Sequence, residues 1–422
     1  MTDQHTQATT TAPAPDTARW RYIGPGLVMA ATGVGAGDMV SSIAAGGEYG
    51  LILAWAIFLG AFLKYVINEG LGRWYLVTGT TPMRGIVSLG TWSAWYVTAY
   101  LVVLAFVFGA AVMSACGLAL NAMFPVGSVN LWAAVSGVVG LGILWIGRYG
   151  TFEKIMGLLV ALMFVTVVGS AALTTPSLPA LAKGMTFQIP DGSLLYVLGL
   201  VGGVGATITL ASYGYWLRDK GWSGPAWLPV MRLDLIVGYV LTPVFMVSML
   251  IVGAQFLHGA AQGLDSEEGL IALSEPFGER FGDTARWLFL GGFFCAAFTS
   301  VLGAFNAMAY LFADLVRMFR GVPDEQATEH TTQKVLPFRA FLLWCTFPPM
   351  LLFLLGEPVM LVIVYAALGA LIMPFLAVAL LVMFNSKRVP RESRNGVLPN
   401  GMLLLCLALF AVLAYTEVVD LF

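Results

Sequence analysis

Charged side chains are scarce in this sequence. Only 10% of the 422 residues are Asp, Glu, Lys or Arg, whereas about 25% are charged in an ordinary soluble domain. This scarcity excludes a soluble globular protein. The 59% of apolar residues and the mean hydropathy of +0.85 indicate a chain that crosses a lipid bilayer many times.

Histidine and cysteine are also rare, which removes several kinds of chemistry. The three histidines lie in the N-terminal tail or in predicted loops: His5, His258 and His330. No histidine is therefore expected at membrane depth to relay protons. The four cysteines stand singly in apolar segments without metal-ligand spacing: Cys116, Cys295, Cys345 and Cys406. We expect them to pack as small apolar side chains.

The motifs of enzymes and of ATP-driven pumps are missing as well. The sequence has no glycine-rich phosphate loop with a lysine, no histidine cluster with metal-ligand spacing and no Ser-His-Asp set. We therefore expect a protein that is not an enzyme, needs no cofactor and binds no nucleic acid.

Apolar runs of about 20 residues, the length that crosses a bilayer as a helix, follow one another along the chain. They span residues 23–46, 51–68, 92–121, 129–145, 155–173, 194–217, 233–256, 287–308, 338–355, 359–384 and 402–419. The sequence thus predicts an all-α integral membrane protein with 11 transmembrane helices. Residues 1–19 are rich in Thr, Ala, Gln and Pro, and we expect there a disordered cytoplasmic tail without a cleaved signal.

The distribution of basic residues predicts the orientation. With the N-terminus in the cytoplasm, 18 of the 21 Lys and Arg residues fall on the cytoplasmic side, and only Lys183, Arg280 and Arg286 fall outside. Because positively charged loops stay in the cytoplasm, this split supports both the orientation and the count of eleven. We expect a multi-pass protein of a bacterial-type plasma membrane with its C-terminus outside the cell.

The first apolar segment carries glycines and a carboxylate at its middle. Gly33, Gly35 and Gly37 are followed directly by Asp38. Glycine lets a helix unwind, and an unwound backbone at membrane depth is tolerated only where protein buries it or a cavity receives it. A carboxylate there costs a few kcal/mol unless something binds it. The pairing of a break with Asp38 therefore predicts a binding site for a translocated solute.

The sixth segment repeats this pattern. The tetrapeptide Gly-Val-Gly-Ala occurs at 33–36 and again at 203–206, five segments later. A shift by five helices inverts orientation in the membrane, which is what an inverted repeat requires. The sequence predicts one repeat over residues 20–175, a second over 190–386 and an additional helix over 398–422, with the solute bound between the two breaks.

Beyond composition, the residues resemble the Nramp family of divalent-metal transporters along nearly the whole chain. The shared motifs are Gly24-Pro25-Gly26 with Met29, Ala45-Gly46, Tyr49-Gly50, Phe152-Glu153-Lys154, Gly205-Ala206-Thr207 and Met373-Pro374-Phe375. The resemblance implies a LeuT-like fold of five plus five inverted helices with helices 1 and 6 broken.

The family's binding motifs are replaced in this chain. Where members carry Asp-Pro-Gly-Asn, this chain has Gly35-Ala36-Gly37-Asp38, and where they carry Met-Pro-His it has Thr209-Leu210-Ala211. The acidic pair of the third helix aligns with Gly109 and Val112. The thioether and the usual proton path are thus absent, so selectivity for soft transition metals is doubtful.

The resemblance implies a secondary transporter that works by alternating access, with a cation as its cargo. The expected substrate-binding residues are Gly35, Asp38, Ala206, Thr209 and Ser212, and the possible pathway residues are Thr32, Tyr213 and Asn306. Asp38 is also the candidate metal ligand, in an oxygen-only site that suits hard cations. The alternative cargo is a small organic solute such as an amine or an amino acid, whose amine faces Asp38 and whose carboxylate faces a half-helix N-terminus.

Each of these residues also has a purely structural interpretation. Asp38 can cap the second half-helix. Thr209 and Ser212 can bond within their own helix, Tyr213 can pack, and Asn306 can join two helices. Two further groups of charged and polar side chains suggest structural networks: Lys64, Asn68, Glu69 and Arg73 in the second segment, and the Asp314–Arg317 pair at helical spacing.

Overall fold

In the computed structural model the chain is a bundle of helices, described for residues 22–174, 178–203, 208–258, 274–355, 358–387 and 389–420; these stretches contain no β-strand. The α-helices are α1 (Pro25–Gly33), α2 (Ala36–Tyr49), α3 (Ala54–Thr78), α4 (Pro82–Val87), α5 (Thr91–Met123), α6 (Val129–Trp145), α7 (Tyr149–Leu173), α8 (Leu178–Gly184), α9 (Leu194–Gly203), α10 (Tyr213–Asp219), α11 (Leu228–Phe256), α12 (Ser274–Phe281), α13 (Asp283–Phe319), α14 (Ala327–His330), α15 (Leu336–Thr346), α16 (Pro358–Asn385) and α17 (Val397–Asp420). Short 3₁₀ helices occur at Ile208–Ser212, Pro225–Trp227, Asp324–Gln326, Pro348–Leu355 and Arg391–Ser393.

Several helices are long and apolar enough to cross a bilayer. Six described stretches meet both conditions: Ala54–Thr78, Thr91–Met123, Tyr149–Leu173, Pro225–Phe256, Asp283–Phe319 and Leu336–Leu354. α1 and α2 together make a seventh if they form one bent span. Three apolar helical stretches are shorter: Val129–Trp145, Ile372–Asn385 and Val397–Val412. The expected all-helical membrane architecture is present, while the count of eleven, the orientation and the repeat boundaries stay predictions.

The first apolar segment is interrupted at its glycines. α1 ends at Gly33, Val34 takes an extended conformation (φ −86°, ψ 96°), and α2 begins at Ala36. The axes of the two half-helices differ by 65°. Because Val34 leaves the helical region, carbonyls at the end of α1 and N–H groups at the start of α2 lose their intrahelical partners.

The sixth segment is not one regular α-helix either. α9 ends at Gly203, and the described chain resumes with the 3₁₀ helix Ile208–Ser212, which leads directly into α10. A 3₁₀ turn in the middle of a helix often marks a functional hinge. Ala206, a predicted binding residue, lies outside the described residues.

Small residues bring α2 and α11 into close contact. A Cβ at Gly46 would lie 2.2 Å from the carbonyl oxygen of Leu250, and one at Gly253 would lie 2.1 Å from that of Ile43. Such contacts between backbones are possible only without side chains, as in other packed membrane helices. α2 is therefore fixed against α11 along its length, which places the broken segment in the interior of the bundle.

Candidate functional site

Asp38 lies at the start of α2 and closes its first turn. Its Oδ2 accepts a hydrogen bond from the N–H of Gly35 at 3.2 Å, and its residue exposure is 6%. Asp38 is the third residue of α2, so this contact is the reverse half of a capping box, and the carboxylate sits at the positive end of the helix. The structural interpretation of Asp38 as a cap is therefore realised, and its role as a ligand stays a prediction.

Lys64 of α3 is a buried cation close enough to Asp38 for the two charges to interact. Lys64 is fully buried, with 0% of its residue surface exposed, and the two side chains act on each other electrostatically. It stands eleventh in a helix of 25 residues, at the middle of a membrane span. A buried lysine at that depth requires a partner, and this is the one signal in the sequence that could have linked it to Asp38.

The predicted charge network of α3 is present at Glu69 and Arg73. Glu69 forms ion pairs with Arg73 at 3.2 Å and with Arg232 at 2.9 Å, and Arg73 also donates to the side-chain oxygen of Asn395 at 2.7 Å. These contacts confirm a structural network for these two residues. For Lys64 and Asn68 the network stays a prediction.

Two further buried polar groups follow this pair, each one helical turn along. Ser42 stands four residues after Asp38 on α2, and Asn68 stands four residues after Lys64 on α3. Both are fully buried, and among the described residues neither the Oγ of Ser42 nor the Oδ1 of Asn68 has a hydrogen-bond partner. The Nδ2 of Asn68 donates to the hydroxyl of Tyr239 at 3.4 Å. Buried polar atoms are normally paired, so these oxygens have spare capacity for water or a solute.

On the other side of the break, α13 supplies hydroxyl groups. The Oγ of Ser300 donates to the freed carbonyl of Thr32 at 3.4 Å, and a Cβ at Gly35 would lie 2.8 Å from the same Oγ. The hydroxyl of Thr32 itself donates back to the carbonyl of Val28 at 2.7 Å. Thr32 and Gly35 thus belong to the break, as expected, but the Thr32 side chain bonds within α1.

The predicted residues of the sixth segment bond within their own helix or to other helices. The Oγ of Ser212 donates to the carbonyl of Thr209 at 2.6 Å, and both residues are buried. The hydroxyl of Tyr213 donates to Asp234 at 2.8 Å. The Oδ1 of Asn306 accepts from the Nε1 of Trp216 at 2.9 Å. These described contacts fit the structural interpretation of each residue and do not join them to Asp38; their roles in binding stay predictions.

One buried carboxylate holds the beginning of α1. Gly24, the N-cap of α1, has no side chain to satisfy the free N–H groups. Instead Asp234 of α11 accepts from the N–H of Gly24 at 2.9 Å and from that of Gly26 at 2.6 Å, besides the hydroxyl of Tyr213. We call this contact the Asp234 cap. It closes the bundle on the face where α1 begins.

Further ion pairs lie around this face. Lys220 pairs with Glu153 at 2.6 Å. The carboxylate of Asp314 accepts from Tyr215 at 2.6 Å and pairs with Arg317 at 2.7 Å, with almost no side-chain surface exposed in the pair. The predicted Asp314–Arg317 pair is thus confirmed. The helix ends around this face are thus held together by ion pairs and hydrogen bonds in addition to apolar packing.

The described side chains at the break do not form a cluster of metal-ligating residues. Among the described stretches, no three His, Cys, Asp or Glu side chains come together closely enough to hold a metal ion. Asp38 and Lys64 carry opposite charges that sum to zero when both are ionised. The positive charge of Lys64 therefore acts on any cation that binds at Asp38.

Comparison with known proteins gives consistent matches. A family model described as natural resistance-associated macrophage protein-like (Nramp) matches residues 26–420. The divalent metal cation transporter MntH of Chromohalobacter salexigens is 26% identical over 268 residues, which cover 58% of this chain and 59% of the relative. The uncharacterized membrane protein YcsG of Bacillus subtilis is 24% identical over 380 residues, 88% of each chain.

Solved structures match the fold. A crystal structure of the Eremococcus coleocola manganese transporter superposes with a TM-score of 0.77 at 16% identity, covering 96% of this chain and 88% of that one. The structure of MhsT in complex with L-phenylalanine superposes with a TM-score of 0.54 at 13% identity, covering 94% and 98% of the two chains. At these identities the likeness concerns the course of the helices and not the ligands.

Proposed function

This chain belongs to the Nramp family, as its sequence motifs predicted, and from that premise we propose that it is a secondary transporter that carries a cation across the membrane by alternating access. Relatives and structural neighbours are named as transporters of divalent metal cations and of manganese, which supports transport over catalysis. The cargo site of this proposal lies between the break at residues 33–38 and the second break at 206–212, with Asp38 as its charged ligand.

The observation that carries the proposal is a buried carboxylate at an interrupted helix. Asp38 stands where α1 and α2 separate by 65°, beside backbone groups that have lost their helical partners. Interrupted helices in membranes are placed where a solute binds, because their freed carbonyls and helix ends can coordinate it. Ser42 and Asn68 add buried oxygens that accept no hydrogen bond from the part of the chain that the structure describes.

The donor types favour a hard cation over a soft one. The oxygens near the break come from a carboxylate, hydroxyls, an amide and backbone carbonyls, which suit ions such as magnesium or calcium, and no thioether is expected where the family's methionine stands. We therefore propose that selectivity differs from that of the manganese-transporting relatives. One carboxylate ligand is fewer than divalent-ion sites usually have, so the remaining ligands in this proposal are backbone carbonyls or bound water.

Alternating access requires a face that closes and reopens. We propose that the Asp234 cap is such a closure, because its carboxylate joins the beginning of α1 to α11 by two hydrogen bonds and accepts a third from Tyr213 of α10. In the proposed cycle α1 leaves Asp234 and the cargo escapes on that side. By the positive-inside rule this side is the cytoplasm.

A second candidate cargo is a zwitterionic amino acid. The observation that favours it is the Asp38–Lys64 pair, since an amine and a carboxylate on one small molecule complement an aspartate and a lysine. MhsT in complex with L-phenylalanine has the same general fold. A competition assay tests whether the two candidate cargoes share one site, because an amino acid inhibits cation uptake only if both occupy the same site.

Uptake by purified protein in liposomes tests the proposal. Wild type should accumulate radioactive or dye-reported Mg²⁺, Ca²⁺ or Mn²⁺ with saturable kinetics. D38N removes the charge with little change of shape and should reduce uptake at least tenfold, since hydrogen bonds and ion contacts to a charged group contribute about 1.5–3 kcal/mol. D191N, at an exposed aspartate, is the matched control and should transport normally.

Two results would contradict the proposal. Wild-type protein that is folded but takes up no cation would exclude cation transport. Full uptake by D38N would show that Asp38 is only a cap. Uptake of labelled amino acids that D38N abolishes, with no cation uptake, would select the second candidate.

A further inference from the structure

The segment between α16 and α17 is short and strongly basic. Residues 386–396, which we call the basic linker, contain Lys387, Arg388, Arg391 and Arg394 and a single acidic residue, Glu392. Arg388 lies outside the described residues. The basic linker is not part of the proposed cargo site, so its positive charge has another cause.

Exposed apolar side chains on both flanks of the basic linker mark where the lipid begins. On α16, Val378 and Val382 are exposed, and in the first turn of α17 Val397 and Leu398 are 93% and 70% exposed. Exposed apolar surface of this kind on a membrane helix faces lipid. Because the basic linker joins these two helix ends, its charged side chains lie at the depth of the lipid headgroups.

Hydrogen bonds hold the basic linker in a defined conformation. Arg73 of α3 donates to the carbonyl of Ser393 at 3.3 Å and to the Oδ1 of Asn395 at 2.7 Å. Within the linker, Arg394 donates to the carbonyl of Val389 at 3.1 Å. A surface that is already ordered loses little conformational entropy when it binds a ligand. The linker is therefore organised for binding before any ligand arrives.

Other basic residues on this side of the bundle have carboxylates of their own. Six of them form ion pairs: Arg73, Arg84, Arg218, Lys220, Arg232 and Arg317. Among the described residues, no carboxylate forms an ion pair with Lys387, Arg391 or Arg394. Lys387 and Arg391 are also exposed. The charges of the linker are thus available to an anion from outside the protein.

We propose that the basic linker binds the phosphate groups of anionic phospholipids in the adjacent leaflet. By the positive-inside rule this is the cytoplasmic leaflet, which carries anionic lipids and attracts each nearby Lys or Arg by about a fivefold gain in binding. A lipid fits better than a free anion, because Val397 and Leu398 offer apolar surface for acyl chains beside the charges. The inference does not depend on the identity of the cargo.

Lipid binding by the purified full chain tests this proposal. The protein in neutral detergent is titrated with palmitoyl-oleoyl phosphatidylglycerol (POPG), with the phosphatidylcholine of the same acyl chains (POPC) and with inorganic phosphate. Melting temperature and native mass spectrometry report binding. POPG should stabilise the protein and form adducts at concentrations where POPC and inorganic phosphate do neither. The effect of POPG should weaken at high salt, because salt screens exposed charges.

Two double substitutions distinguish the basic linker from the overall charge of the protein. K387Q/R391Q removes two exposed charges that make no described hydrogen bond or ion pair, so it should fold like wild type. Its affinity for POPG should fall at least tenfold, because each charge contributes about a fivefold gain. K154Q/R320Q removes the same charge from exposed positions on α7 and after α13 and should leave the affinity nearly unchanged.

Three results would overturn the proposal. Equal stabilisation by POPG and POPC would show that the headgroup charge is not recognised. Equal stabilisation by POPG and inorganic phosphate would show a site for a free anion and not for a lipid. Equal loss of POPG affinity in both double variants would show attraction by net charge without a site in the basic linker. None of these results bears on cation transport, because the test contains no cargo.

Discussion

Replacement of Asp234 by asparagine should loosen the beginning of α1 in a way that can be calculated from the contacts. The fully buried carboxylate of Asp234 accepts from two backbone N–H groups, of Gly24 and Gly26, through separate oxygens. An asparagine offers one neutral oxygen, so one N–H loses its acceptor and the other keeps only an uncharged one. Hydrogen bonds to charged groups contribute about 1.5–3 kcal/mol, and we take about 2 kcal/mol for D234N.

That energy should appear as local opening of α1 rather than as global unfolding. A loss of about 2 kcal/mol raises the open fraction of the segment about 30-fold, since about 1.4 kcal/mol corresponds to a factor of ten. Amide hydrogen exchange followed by mass spectrometry, with the protein in nanodiscs, reports this fraction for the peptide that contains Gly24 and Gly26. Exchange there should accelerate about 30-fold, with a small change in melting temperature.

The control lies in the same segment of the chain. The N–H of Gly35 is held by Asp38 and not by Asp234, so exchange at the start of α2 should change little in D234N. D191N should leave both regions unchanged. Equal acceleration in α1 and α2 would mean general destabilisation, and no acceleration in α1 would refute the assignment of Asp234 as the closing contact.

Three further predictions concern packing and buried charge. G253A should lower the free energy of unfolding by about 1–3 kcal/mol, since its Cβ would lie 2.1 Å from a backbone oxygen of α2. G157A adds a Cβ with no described atom within 4 Å and should be neutral or slightly stabilising in the same thermal melts. Equal effects of the two substitutions would contradict the close contact. D314N should lower the free energy of unfolding by about 1.5–3 kcal/mol, because Arg317 loses one charged acceptor and keeps its ion pair with Asp324 at 3.0 Å, and a melting temperature like that of wild type would show that the pair carries no stability. All four cysteines are buried, so a maleimide reagent should modify the native protein much more slowly than the denatured one; rapid labelling of folded protein would be inconsistent with their packing.

The break at the first segment could be predicted from the sequence because its cause is local. Gly33 and Gly35 allow the chain to leave the helical region, and a carboxylate three residues into the new helix is a familiar start signal. The Asp314–Arg317 pair was predictable for the same reason, since three residues of helix bring the two side chains together.

The partners of Asp38 and of α1 could not be predicted because they come from distant parts of the chain. Asp234 lies 208 residues from Gly26, and no local pattern links the two. α3 is apolar on most of its surface, so its periodicity does not indicate which side lies toward the break, and no local pattern links Lys64 to Asp38. The tertiary arrangement of helices decides both contacts.

Both halves of the broken segment meet α11 where glycines let the backbones touch. α2 does so at Gly46 and Gly253, and α1 does so at Gly26 and Gly238, where a Cβ would lie 2.2 Å and 2.5 Å from a backbone oxygen of the other helix. α1 adds the hydrogen bonds of its first N–H groups to Asp234. Opening at α1 must therefore part a packed backbone contact in addition to the hydrogen bonds of Asp234, with Val34 acting as the joint between the two halves.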